Sequence, residues 1–310
     1  MAKGFFTQGI VVLFDRAPTL DAIVGVLGAP VKKRIDDAPS WALSGPSVIV
    51  EHDAARNGYV AVDVVDRAWP DDMGNPTTSP DVFAAWSMGH FGPEAYPGGL
   101  ERAWQHAYHH ERSPRGLVER HRAFVRVRLS YVFGAREDAP VIPKGVEPAR
   151  ELERVFALGR AILRAPHASL LYVPGADLVF DAAQIDERLE DARRGARLPI
   201  DLYSNVRLFR LDGLADGWTM MDTTGLAQLD RRDFEACFDA SIEPAHVAGF
   251  LRNLSLHVAT RGDVFGDGHT VDGPGGRWRA RQLEESLAPG PRRVVRFTRD
   301  GARLPPALAK

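Results

Sequence analysis

The sequence predicts an α+β protein, mainly antiparallel in its sheet, with helices packed against it. Three observations carry this expectation. Short β-branched runs recur along the chain, among them "GIVVLF", "PSVIVEH", "GYVAVDVV" and "NVRLFRL". Between them lie stretches whose apolar residues return every three or four positions. The order of elements is β, α, β, β, α in the first half and β, α, β, (α), β, β, α in the second, with the helix in parentheses inserted. That order sets strands beside their sequence neighbours more often than a βαβ repeat does. It suggests pseudo-duplicated βαββα halves at residues 1–120 and 121–310, with no residue-level repeat between them.

Residues 9–14 form the first strand. A helix follows behind Thr19 as N-cap, with Leu20, Ile23, Val24 and Leu27 on one face. "PSVIVEH" and "GYVAVDVV" make a hairpin around Asn57-Gly58. From Ala68 to Leu100 the chain has four acids and no Lys or Arg, with repeated Pro and Gly. This reads as a long acidic loop, broken by a turn of helix at "PDVFAAW". Leu100, Ala103, Trp104, Ala107 and Tyr108 then define a helical stripe that leaves His106, His109 and His110 off it.

"RAFVRVRLSYV" alternates with period two. Val125, Val127 and Leu129 face one way, Arg126, Arg128 and Ser130 the other, as in a strand with one buried face. Beyond "APVIPKGVEP" come a helix around Leu152 to Leu163, the strand "ASLLYV", a helix with Ile185 and Leu189, strands "NVRLFRL" and "GWTMMDTT", and a helix from about Pro244. The stretch "RGDVFGDGHTVDGPGGRWRAR" reads as glycine-rich loop, and "RRVVRFT" as a last strand.

The 310 residues hold a single cysteine, Cys237, which excludes an internal disulfide framework and fits a reducing cytoplasm. A formal net charge of −2 offers no large positive field to a nucleic acid. No apolar run approaches the roughly 20 residues that cross a bilayer. The amino terminus reads as a strand and not as a signal peptide.

No complete catalytic constellation is visible. His106 and His110 are four apart, the spacing of a two-histidine metal site, but Ala107 stands where an HExxH glutamate would be. "GDGHTVDGPGG" lacks the Lys-Ser/Thr ending of a phosphate loop. Asp222, Thr223, Asp233 and Glu235, with His106 and His110, are the groups that would serve a metal-assisted or acid-base hydrolase. Neither a cofactor nor a metal is expected.

At "DTTGLAQLDRRDFEACFDASIEPAHVAGFLRNLSLHVATRGDVFGDGHTVDG" the chain resembles the carboxy-terminal part of a bacterial domain-of-unknown-function family, number 4261. The likeness continues back through "LPIDLYSNVRLFRL" to "HRAFVRVRLSYV", and the first half looks like the amino-terminal extension of longer members. The resemblance brings no catalytic residues. It implies a bacterial, intracellular, non-enzymatic protein of the kind found near secreted toxins, where immunity proteins bind and block a toxin. The expected partner is therefore a protein, a toxin or effector, and neither nucleic acid nor membrane. Asp71 and Asp72 would steer it, and Trp86, Phe91 and Tyr96 would anchor it.

Overall fold

The computed structural model describes residues 5–37, 43–105, 114–210, 218–288, 290, 292–302 and 305. It is an α+β fold with two sheets, in two compact units: residues 1–104 with 111–187, and residues 105–110 with 188–310.

The first unit is built on seven strands: β1 (Gln8–Phe14), β2 (Val31–Ile35), β3 (Ser47–Asp53), β4 (Gly58–Val65), β5 (Ala123–Ser130), β6 (Ala168–Val173) and β7 (Leu178–Phe180). Their order in the sheet is β2-β3-β4-β5-β1-β6-β7, antiparallel throughout. The expected division at 120/121 therefore falls inside one sheet. β5 lies between β4 and β1, and β6 and β7 complete the other side, so these three strands belong with the first half.

β5 is buried on both faces, not one. On the face of Val125 and Val127 lie α1 (Leu20–Leu27) and α5 (Pro148–Ile162). Thr19 caps α1, its hydroxyl accepting from Ala22 N at 3.2 Å. α5 presses so closely on β1 that a Cβ at Gly159 would stand 2.3 Å from Ile10 Cδ1. Only a residue without a side chain fits there.

The opposite face is covered by α2 (Pro80–Ser87), α3 (Gly99–Gln105), α4 (Arg115–Arg120) and the loop between α2 and α3. Trp69, Trp86, Phe91, Phe124 and Tyr172 meet there, with ring centroids 4.1 to 5.9 Å apart from Trp86–Phe91 to Trp69–Trp86. His121 ties this layer to the sheet. Its Nε2 accepts from Trp69 N at 2.9 Å, and its Nδ1–H donates to Val118 O. The segment expected as an acidic loop is thus a packed third layer.

α6 (Ala182–Arg194) carries the chain into the second unit. Six strands follow: β8 (Asn205–Arg210), β9 (Trp218–Thr224), β10 (Asp233–Asp239), β11 (Thr270–Gly273), β12 (Gly276–Leu283) and β13 (Val294–Arg299), in the order β11-β12-β13-β10-β9-β8. Among the described strands, only β10 and β13 pair in parallel. α7 (Pro244–Arg261) packs on one face through Phe250, which meets Trp278 and Phe297.

The stretch expected as glycine-rich loop contains the β11–β12 hairpin. Gly273 is required in it because a Cβ would reach 2.7 Å from Trp278 Cδ1, and Gly275 holds the turn at φ 71°.

Candidate functional site

The second sheet explains the acids expected to do chemistry. Arg207 on β8, Asp222 on β9, Glu235 on β10 and Arg296 on β13 are successive cross-strand partners, so one buried row reads plus, minus, minus, plus. Two carboxylates side by side repel. Here each is taken up by its own donors. Asp222 accepts from Arg207 Nε at 3.0 Å and Nη2 at 2.6 Å, and from Arg292. Glu235 accepts from Ser286 Oγ and Leu287 N, both at 2.7 Å, and from Arg296 Nε at 3.0 Å.

Asp233 accepts from Thr223 Oγ1 at 2.9 Å and Leu226 N at 3.2 Å. Burial pushes its carboxyl up to about 6, the Arg292 guanidinium and these two donors offsetting part of that rise. Asp222, Asp233 and Glu235 are 1% exposed or less, so none meets a substrate from solvent in this conformation. Burial lifts the Cys237 thiol to about 12, which leaves it an inert core group. His106 and His110 lie outside the described residues. Among the described residues, no three His, Cys, Asp or Glu side chains gather as a metal-ligand set.

The residues expected to meet a partner are placed very differently from one another. Trp86 and Phe91 are interior, 8% and 1% exposed, which corrects their reading as surface anchors: both belong to the aromatic layer. Asp71 is also internal in its bonding. Its carboxylate accepts from Leu100 N at 2.9 Å and Glu101 N at 2.7 Å, which caps α3. Burial raises its pKa against those two hydrogen bonds. Asp72 is exposed, with Oδ1 accepting from Gly74 N, and Tyr96 is half-buried.

Arg126 and Arg128, which share one face of β5, are buried around Asp63. Burial alone would raise the Asp63 carboxyl, but the two guanidiniums outweigh it and the net shift is downward. Arg128 gives way the other way, lowered to about 10 by burial and by the charge of Arg126.

A feature that sequence reasoning did not find lies at the other end of β4 and β5. A cleft of about 670 Å³ opens between the β3–β4 turn and the start of α5. Asn57 in the left-handed region, φ 58°, donates from Nδ2 to Tyr131 O at 2.7 Å, and Gly58 lets the Tyr131 ring pack where a Cβ would be 2.8 Å away. Tyr131 and His52 line the cleft. The Tyr131 hydroxyl feels the charge of Glu151, a buried carboxylate that accepts from Thr7 Oγ1 at 3.1 Å. Burial, then the Glu151 charge, raises the Tyr131 pKa, and burial lowers that of His52. Both groups are therefore neutral at neutral pH.

Charged side chains flank the cleft. Arg56 pairs with Asp53 at 2.7 Å and donates from Nε to Lys144 O at 3.2 Å. Arg154 donates to Glu51 O at 3.1 Å, and Arg150 stands 3.7 Å from Glu147. The one sequence signal for this site was the Asn57-Gly58 turn, which gives a hairpin without showing what packs beneath it.

Residues 222–298 match the family model of the domain of unknown function DUF4261. No curated protein and no solved structure matches the chain. The DUF4261 segment runs from the middle of β9 into β13. It holds Asp222, Asp233, Glu235, Arg292 and Arg296, so the buried charge row is largely its own, with Arg207 supplied from outside. The stretches at 198–211 and 121–132, to which the resemblance also extended, lie outside the matched residues. So does the cleft. DUF4261 is thus matched by the carboxy-terminal part of the chain, and the amino-terminal region lies outside the domain.

Proposed function

We propose that this chain is a non-enzymatic binding protein whose partner is another protein, and that the binding serves an immunity-type role in which a toxin or effector is neutralised. The observation that carries the reading is the surface of the layer formed by residues 66–105. Its aromatic side is locked into the core, while Asp66, Asp72, Met73 and Met88 face solvent, Met73 at 39% and Met88 at 48% exposure. Adaptable methionines beside acids on a rigid support suit docking to a basic protein surface. The occupied state of Asp222, Asp233 and Glu235 also favours binding over catalysis.

The test uses the tagged full chain, the D72N variant and an M73D/M88D double variant to capture proteins from a bacterial lysate, with mass spectrometry of what is retained. A stoichiometric protein, lost with M73D/M88D and associating more slowly with D72N, is expected. Co-expression with this chain should then relieve the growth defect the partner causes. Equal capture by all three chains would remove this surface from the interface, and absence of any stoichiometric protein would remove the reading.

A further inference from the structure

We propose that the cleft beside Tyr131 is a binding site for a small phosphate ester whose organic part carries hydroxyl groups. This stands on different residues from the protein-binding reading and does not depend on it. At about 670 Å³ the cleft has the size of a small-ligand site. Its charges divide into those already used and those left over. Asp53 and Arg56 neutralise each other across 2.7 Å, and a further carbonyl bond fixes Arg56. Arg154 forms no ion pair among the described residues, and donates instead to the neutral Glu51 carbonyl. Arg150 lines the cleft and is held to Glu147 only loosely, at 3.7 Å with both side chains largely in solvent.

Two guanidiniums at one side of a cleft match a doubly charged, three-oxygen group better than a single carboxylate. The start of α5 adds to them. It opens on the same cleft through Gly145, Val146 and Glu147, and no side chain caps it. A simple inorganic anion would leave the remaining groups unused. Glu147 and Glu153 also line the cleft and accept hydrogen bonds only, so they favour a ligand that brings donors with its phosphate. The neutral Tyr131 and His52 rings supply an apolar edge for its carbon skeleton.

The experiment is isothermal titration of the full chain with three probes: ribose 5-phosphate, inorganic phosphate and ribose. Saturable one-to-one binding of ribose 5-phosphate is expected, with phosphate at least about tenfold weaker and ribose silent. R154Q should weaken ribose 5-phosphate by about tenfold or more, and R150Q by less, while R193Q, at an exposed arginine of α6, leaves it unchanged. On the unaltered chain, the His52 ring resonances should shift with the same saturation curve. Failure of ribose 5-phosphate to saturate, equal affinity for phosphate, or full affinity in a folded R150Q/R154Q double variant would each overturn the assignment.

Discussion

Replacing Asp63 with Asn removes the single carboxylate between two buried guanidiniums. Asp63 accepts from Arg126 Nε at 3.2 Å, from Arg126 Nη2, and from Arg128 Nη2 at 3.0 Å, and the side chains of Arg126 and Arg128 are 0% and 8% exposed. A unit charge pair at this range interacts by about 4 kcal/mol at an effective dielectric near 20. Two such attractions disappear, while the Asn carbonyl keeps one neutral hydrogen bond and the His90 carbonyl still accepts from both arginines. Breaking a buried pair by removing one partner costs about 3–5 kcal/mol in general, and we expect a loss of about 4 kcal/mol here.

The assay is hydrogen exchange of the β4 and β5 amides along a urea series, which reads the opening free energy of these strands directly. The D63L/R126M/R128M triple variant is the control. It removes all three charges together, so it should lie within about 2 kcal/mol of the parent. A D63N loss below about 1 kcal/mol with unchanged urea dependence would refute the view that the cluster acts as one buried electrostatic unit.

Two further outcomes follow from titrating groups. Asp233 has its pKa raised from 3.8 to about 6, so the folded chain holds a proton there that the unfolded chain has released. Its contribution is fully present below about pH 4 and is lost as pH rises through 6, by about 3 kcal/mol in all. D233N should flatten that part of a stability-against-pH curve, and an identical slope in the variant would sink the assignment. His121 runs in the opposite sense, because burial lowers its pKa below 6.5 and its Nε2 must stay unprotonated to accept from Trp69 N. Its contribution is present above pH 6.5 and lost as pH falls through the folded value, so the Trp69 amide resonance should move only below pH 6.5 and together with the His121 ring.

Much of the fold was legible because burial wrote itself into period. The Thr19 cap, the Asn57-Gly58 turn, the strand β5 and the helical stripe of α5 all appear where expected. What was not legible had charged or very short elements. β2, "VKKRI", is an edge strand whose lysines and arginine face solvent, and such charge blunts an edge while hiding the strand pattern. β7 has three residues. β12 interleaves arginines with Trp278 and Ala280, and its glycines resemble those of a loop until their close contacts are seen.

The site was harder to read than the fold. Arg126 beside Arg128 looks like an anion-binding pair until Asp63, more than sixty positions earlier, arrives on the next strand. Trp86 and Phe91 sit among acids in sequence and among rings in space. The cleft requires β4 to pair with β5 before Tyr131 meets the β3–β4 turn and α5, and no local pattern announces that.

β1 lies inside its sheet, between β5 and β6, yet both of these neighbours are made long after it. Residues 8–14 leave the ribosome well before their partners at 123–130 and 168–173, which follow only when most of the unit has been synthesised. At about 5–20 residues per second, β1 waits for β5 through roughly six to twenty seconds of translation. During that interval the apolar "QGIVVLF" has no sheet to enter, and contacts of such sequence separation close slowly. Vulnerability to misassembly is therefore concentrated in the nascent chain, before β5 covers one edge of the strand and β6 the other.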